Sequence, residues 1–385
     1  VYFTLKGHEE SRYWRRLVRD AGEGRVVDVT SVSFDTAAAM VNSWQLHVLV
    51  DLDVWMKGRR PEILALRPAP VQLVYLGYPG SSGADYIDYI VTDKIVSPPE
   101  MRSLYSEKLL LQPFTYQVND YKASFQHVRH AVLEKLPGTT RADNALPPKT
   151  TLLGNFNQLY KIDPPTLQLW IRVFNASLAR MSPPLAHLHA HTPTTGADIK
   201  LWLLAFPPLA AQRLVREAGA RGLPRSSVHF SDRVDKDSHL LRVHLADVFL
   251  DNHHVNAHTT ATEALWHSVP VVTWPGQALA SRVASSLLLA AGSHASSLIA
   301  RNDDEFVGVA AVLAASVRRR VRQRRKMEDE KESCPLFDTA RWVRGWEASL
   351  RMLVDAATLG SRGGGSGDRI PMHVSTGAKA AAPYI

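Results

Sequence analysis

The stretch 246–276, A-D-V-F-L-D-N-H-H-V-N-A-H-T-T-A-T-E-A-L-W-H-S-V-P-V-V-T-W-P-G, constrains the chain most. Residues 246–250 are a short apolar run of buried-strand type, and 270–273 are another. Between them, 261–267 reads as a compact helix. Its start carries Thr259 and Thr260, and Glu263 lies three residues beyond Thr260, a spacing that predicts a capping box. Such a start turns unpaired N–H groups and two hydroxyls toward one spot. The N–H groups and the helix dipole both favour an anion there. Read alone, the pattern also fits a well-capped helix in an ordinary α/β layer.

The rest of the chain supplies that layer. Residues 1–5, 25–29 and 46–52 read as strands, with helices at 9–20 and 36–44. This alternation implies a parallel sheet with helices on both faces. Ligands of parallel sheets bind beyond the carboxyl ends of the strands. The loop Asp51-Leu52-Asp53-Val54-Trp55-Met56-Lys57-Gly58 is therefore placed to face a cleft, although Lys57 also fits a surface turn. After a strand at 71–76, the turn Gly77-Tyr78-Pro79-Gly80-Ser81-Ser82-Gly83 lets backbone approach a ligand closely. Strands at 86–92 and 107–111 complete this lobe, and 123–150 weakens into a connection.

A second lobe opens with a strand at 151–155. Lys161, just before a helix at 164–179, is placed to reach a diphosphate as a point charge. Residues 180–200 read as an insertion in which His187, His189 and His191 alternate. No carboxylate or cysteine lies near them, so a polar loop fits better than a metal site. A strand at 228–231 leads into a helix holding Leu240, Leu241 and Arg242. Helices at 303–319 and 339–357 follow, and 359–385 reads as a disordered tail.

Composition narrows the class. Of 385 residues, 45% are hydrophobic and 21% charged, which fits a globular protein of about two domains. No apolar run approaches the roughly 18 residues of a membrane span, and no secretory signal opens the chain. Cys334 is the only cysteine, so no internal disulfide can form. Much of the formal charge of +8 sits in 318–326, followed by the acidic 328–332. That block reads as a long solvated helix of mixed charge. Without interleaved aromatics it does not argue for nucleic acid.

Four ordered blocks carry a family resemblance: A-L-R-P-A-P-V-Q-L-V-Y-L-G-Y-P-G-S-S-G (65–83), N-F-N-Q-L-Y-K-I-D-P (155–164), the 256–276 segment continued by A-L-A-S-R-V-A-S-S (278–286), and C-P-L-F-D (334–338). The chain resembles the catalytic region of the protein O-GlcNAc transferases across most of 1–355. The resemblance implies an α/β fold of GT-B type, with a cleft between two Rossmann-like lobes that carry parallel sheets. It divides the chain into a first lobe (1–122), a connection (123–150), a UDP-sugar lobe (151–300), helices packing back on the lobes (301–358) and the tail. The family's first lobe begins with a His-Pro strand, preceded by tetratricopeptide repeats. The lobe is therefore expected to be incomplete at its N-terminus, and the chain alone to turn over poorly. No large inserted domain of the animal kind is present, as in plant, algal, protist or bacterial forms.

The resemblance also implies inverting transfer of N-acetylglucosamine from UDP-GlcNAc to serine or threonine hydroxyls of intracellular proteins, in cytoplasm or nucleus. It implies no metal, no cofactor, no nucleic acid and no membrane. Lys57, Lys161 and His258 would lie at the reacting centre, and Leu76 and Gly77 against the sugar. Gln158, Thr259 and Thr260 would assist at the diphosphate. Val234, Lys236, His239 and Arg242 would surround uracil and phosphates. Glu263 stands where the animal enzymes carry an aspartate gripping the ribose. The alternatives are a related protein O-fucosyltransferase and a non-catalytic nucleotide-sugar-binding or scaffold fragment.

Overall fold

The computed structural model describes residues 1–6, 10–22, 24–181 and 198–362. His187, His189 and His191, and the tail from 363, lie outside the described residues. The chain divides into two α/β units. One comprises residues 1–117 and the chain from 343 on; the other is Val118–Trp342.

In the first unit, β1 (Tyr2–Thr4) and β2 (Val26–Asp28) pair in parallel across α1 (Arg12–Ala21). Helix α2 (Phe34–Ser43) follows, capped by the Ser33 hydroxyl, which accepts from the Thr36 N–H at 3.2 Å. Then come β3 (Val48–Asp51), α3 (Pro61–Ala65), β4 (Val71–Val74), β5 (Tyr89–Asp93) and β6 (Lys108–Gln112). Strands β3 to β6 form a four-stranded sheet in sequence order, every pair parallel. β4 and β5 are buried along their whole length, which is why they read as continuous runs rather than alternating ones.

The second unit holds α4 (Tyr121–Ser124), α5 (Gln126–Leu133), β7 (Thr151–Asn155), α6 (Pro164–Met181), β8 (Ile199–Leu204), α7 (Pro208–Ala220) and β9 (Val228–Ser231). It continues through α8 (Lys236–Val243), β10 (Val248–Leu250), α9 (Thr259–Trp266), β11 (Val271–Val272), α10 (Val283–Ala291), α11 (Asp303–Ala315) and α12 (Val317–Lys331). Its five strands run parallel in the order β11-β10-β7-β8-β9. Trp170, Trp202, Trp266 and Phe249 are buried around them, and α6 packs along α11. Helix α13 (Thr339–Arg362) ends the described chain.

The parallel sheets, of two, four and five strands, agree with the α/β expectation, but β1 and β2 pair by themselves instead of joining β3 in one sheet, and several other local readings change. Residues 123–150 are built into the second unit instead of hanging between units. There Arg129 pairs with Glu328 and Glu332, and Arg141 pairs with Asp247 at 2.8 Å. The helix expected over 303–319 is two helices, because Ser316 leaves the helical conformation and caps α12. α12 is not solvated all round. Arg320 turns back to donate to the carbonyls of Leu313 and Ala314, closing the last turn of α11. Arg324 donates to the carbonyls of His244 and Ala246. Arg318, Arg319, Arg322, Arg325 and Lys326 face solvent. Two of the run's seven cations are thus internal clamps.

Arg324→Met should therefore cost about 2–3 kcal/mol in urea unfolding, the range of charge-assisted hydrogen bonds. Arg322→Ala on the solvent face should stay within about 0.5 kcal/mol. Equal costs would mean that the run is solvated after all.

A pH dependence follows from His244 and His267, whose rings lie 6.2 Å apart in the second unit. Burial pushes both below the ordinary imidazole value, His244 to about 4 and His267 also well down. The unfolded chain takes up these protons near pH 6.5 while the folded chain does not. Their contribution is present above that pH and is lost as pH falls toward 4. Asp251, held up at about 7, works the other way over this window, so the histidine contribution is read as a difference: urea midpoints of the second unit should fall less on acidification in His267→Phe than in the unsubstituted chain.

Candidate functional site

In the second unit the chain adds β8 and β9 on one side of β7, then β10 and β11 on the other. Where strand order reverses, an open parallel sheet leaves a crevice beyond the carboxyl ends of its strands. Two segments meet at the ends of β7 and β10. After β7, Asn155, Phe156 and Asn157 remain buried, Gln158 is exposed, and a single 3-10 turn, Leu159–Lys161, follows. The Leu159 N–H donates to the carbonyl of Phe206 at 3.1 Å, and Asp163 caps α6 by accepting from the Thr166 N–H at 2.8 Å. Lys161 is thereby presented at the entry to α6.

After β10, Asp251 accepts from the N–H groups of Asn252 (2.8 Å) and Ala257 (2.6 Å) and from the Thr273 hydroxyl (2.7 Å). These bonds close the loop 251–257 on itself. Burial pushes its carboxyl up to about 7 against the pull of those three donors and of Lys161. Asn252 ties this loop to β7. Its side-chain oxygen accepts from Asn155 (2.8 Å) and Asn157 (2.7 Å), and its amide donates to the Lys161 carbonyl at 3.0 Å. Asn256 donates to the Asn252 carbonyl at 2.6 Å.

Burial holds the Lys161 ammonium below its ordinary value, with Asp251 opposing. Among the described residues Lys161 has no ion-pair partner within 4 Å, so it is a partly desolvated cation held in place by its own backbone. His258 precedes the first turn of α9 and is half-buried, its Nε2 3.2 Å from the Ala280 carbonyl. Burial first and Lys161 second push it to about 4. At neutral pH it is therefore an uncharged imidazole, with Nε2–H donating to Ala280 and Nδ1 left as an acceptor. It brings a hydrogen bond to the site, not a second positive charge.

The expected capping box is absent. α9 starts at Thr259 with no side-chain cap, and Thr260 is its second residue. The Thr260 hydroxyl donates to Asn157 at 2.7 Å, which fastens α9 to the end of β7. Glu263 points away from the helix start. Its Oε1 takes a bond from Lys236 and one from the Tyr121 hydroxyl at 3.3 Å, and its Oε2 lies 3.1 Å from His239 Nε2. Burial works against its charge, but the His239 and Lys236 contacts more than offset this and lower its pKa. His239 is set by the edge of Phe156, ring centroids 5.3 Å apart. Arg242 is buried and donates to the Asp232 carbonyl at 2.7 Å, while its Nε finds no partner. Val234 is exposed.

The structure therefore gathers Lys161, His258, Thr259 and Thr260 at one spot, and Lys236, His239 and Glu263 into an adjoining cluster. The asparagine ladder ties the first spot together, reaching the Lys161 carbonyl and the Thr260 hydroxyl. Asp251, Asn155, Asn157, Asn252 and Tyr121 were missed in the sequence. Polar residues that end buried apolar runs (L-L-G-N-F-N and V-F-L-D-N) were the available signal for the first four. Tyr121 offered none, since its partners are distant in sequence.

Lys57, Leu76 and Gly77 belong to the first unit, at the carboxyl ends of β3 and β4. A Cβ on Gly77 would stand 1.7 Å from the Leu52 carbonyl oxygen, so only glycine fits between the two loops. Leu76 takes a positive φ of 68° and is exposed, as is Lys57. The glycine turn is pinned by Glu107, which accepts from the Ser81 hydroxyl at 2.8 Å and the Ser82 N–H at 2.5 Å. Among the described residues no group of three or more His, Cys, Asp or Glu side chains is disposed to hold a metal ion.

Two α/β units with parallel sheets agree with the GT-B class of glycosyltransferases. Residues 2–138 and 131–345 match glycosyl transferase family 41, and the chain belongs to that family. It is 37% identical over 348 residues to the probable UDP-N-acetylglucosamine–peptide N-acetylglucosaminyltransferase SEC of Arabidopsis thaliana, covering 90% of this chain and 33% of the relative. It is 28% identical over 451 residues to the UDP-N-acetylglucosamine–peptide N-acetylglucosaminyltransferase of Caenorhabditis elegans, covering 90% and 37%. A solved mutant of the O-GlcNAc transferase of Thermobaculum terrenum superposes with a TM-score of 0.72 at 26% identity, covering 91% of this chain and 61% of that one. The chain spans about a third of the length of the curated relatives it matches.

The ladder should be costly to break. Asn252→Ala leaves the buried Asn157 amide without this partner and takes one of two from the Asn155 amide, which keeps its bond to the Leu250 carbonyl at 2.7 Å. A buried group left unpaired costs about 1–3 kcal/mol. Urea unfolding of the second unit should register a loss of about 2–4 kcal/mol. A change under about 0.5 kcal/mol would show that water replaces the amide.

Proposed function

We propose that this chain is the catalytic region of a protein O-GlcNAc transferase. It moves N-acetylglucosamine from UDP-GlcNAc to serine or threonine hydroxyls of acceptor proteins. The observation that carries the reading is Lys161, a desolvated cation without an ion-pair partner among the described residues, beside the N-terminus of α9. The family membership and the named activities of the relatives support it.

In this reading the acceptor hydroxyl oxygen bonds to the anomeric carbon and gives up its proton to water as the bond to the diphosphate breaks, inverting that centre. The electron pair leaves with UDP. Lys161 and the N–H groups opening α9 meet that developing charge already in place, which is how a fixed site favours a transition state. The bonds of Thr260 to Asn157 and of His258 to the Ala280 carbonyl hold the start of α9 toward the phosphates, with Gln158 and Thr259 beside them. Glu263, His239, Val234 and Arg242 hold the nucleoside, and Lys236 stands between it and the phosphates; Leu76, Gly77 and Lys57 attend the sugar. Charge stabilisation falls to Lys161 and α9, so we read transfer as independent of metal or cofactor. We place the protein in cytoplasm or nucleus, in company with tetratricopeptide repeats. No helix among the described residues is long and apolar enough to cross a membrane, and the buried Cys334 is a free thiol.

The test compares UDP, uridine and GDP by calorimetry. Lys161→Ala should weaken UDP by about ten- to a hundredfold, the loss of one charge-assisted contact, and leave uridine unchanged. Equal losses for both ligands would discard the diphosphate role of Lys161. Tighter binding of GDP than UDP would point to the fucosyl donor instead.

A further inference from the structure

We infer that Tyr121 is a positioning residue for the ribose of the nucleotide: it keeps the Glu263 carboxylate in place while Lys236 gives up its position there. The inference rests on the nucleotide-sugar reading of this site. An ionised carboxylate offers about four acceptor positions. Three of those on Glu263 are occupied, by Lys236 and Tyr121 on Oε1 and by His239 on Oε2. A ribose brings two hydroxyl donors on adjacent carbons, so seating both requires one of the three to leave.

Packing decides which one. His239 has its ring against the edge of Phe156, and its side chain is 13% exposed. Tyr121 is buried with its ring 5.4 Å from that of Phe125 and 6.3 Å from that of Trp266. Lys236 is the loosest, with its side chain 32% exposed. It is also the first residue of α8, where the helix dipole disfavours a cation. Its ammonium already spans to the Tyr121 hydroxyl at 3.1 Å and lies 5.2 Å from the ring centre. It can slide along the tyrosine off the carboxylate and toward an anionic part of the same ligand. The Tyr121 hydroxyl stays on Oε1, so the carboxylate keeps its aim.

Packing alone would be served by phenylalanine, and that sets the test. UDP, and a UDP analogue whose ribose lacks both hydroxyls, are titrated calorimetrically into the 385-residue chain and its Tyr121→Phe variant. The variant should lose about two- to tenfold in UDP affinity, one neutral hydrogen bond, and bind the analogue as the unsubstituted chain does. Unchanged UDP affinity, or parallel losses for both ligands, would overturn the inference. Lys236→Met supplies a second measurement. It should weaken UDP while leaving uridine unchanged or tighter, and an equal loss of uridine would show that Lys236 stays on Glu263. If the unsubstituted chain binds no UDP, the nucleotide reading fails and this inference fails with it. If it binds UDP and Tyr121→Phe changes nothing, only the inference is lost.

Discussion

The buried turn at the end of β10 is the constraint on which the second unit's site depends. Asp251 and Asn252 are almost completely removed from water, and a buried polar group is costly unless its bonds are made. Here they are made to each other's neighbours: Asp251 closes its own loop and reaches Thr273, and Asn252 reaches β7 and Lys161. A network of this kind is stable when complete and fragile when one member is missing. Its consequence is geometric. The Lys161 backbone, the loop before His258 and the first turn of α9 are fixed relative to one another before any ligand arrives.

That rigidity explains why the site tolerates an unpaired cation. Burial without a close carboxylate raises the free energy of the Lys161 ammonium, and Asp251 relieves this only from a distance. An incoming anion supplies the missing partner and gains more than it would from a lysine in water. The neutral state of His258 follows first from burial and second from Lys161 beside it, which discourages a second positive charge. One residue keeps its charge and the other sheds it, so the two sit together without mutual repulsion.

How much of this was legible depends on the range of each interaction. The α/β alternation, the glycine turn with Gly77 and the placement of Lys161 ahead of α6 are local patterns, and the structure carries all three. The capping box at Thr260 and Glu263 failed because its spacing describes any threonine three residues before a glutamate. The partners that claimed Glu263 lie 27 residues away, in Lys236, and 142 away, in Tyr121. Thr260 was claimed by Asn157, which no helical rule brings near. α12 misled in a similar way. A run of arginines looks solvated in one dimension, yet Arg320 and Arg324 are the nearest donors for carbonyls that α11 and α8 leave open at their ends.

Net charge is correspondingly a poor guide to where this protein meets an anion. The formal +8 owes much to the solvent face of α12, whose arginines are screened by water and salt. At the end of β7 and β10 the excess is small: Lys161, Lys236 and Arg242 against Asp251 and Glu263. Two of those cations are already engaged, Lys236 by Glu263 and Arg242 by the Asp232 carbonyl. A single cation in a half-buried, pre-set position outweighs several on a solvated helix, because the interaction between charges strengthens as the surrounding dielectric falls. Position relative to water, more than the number of basic residues, is what sets Lys161 apart from the arginines of α12.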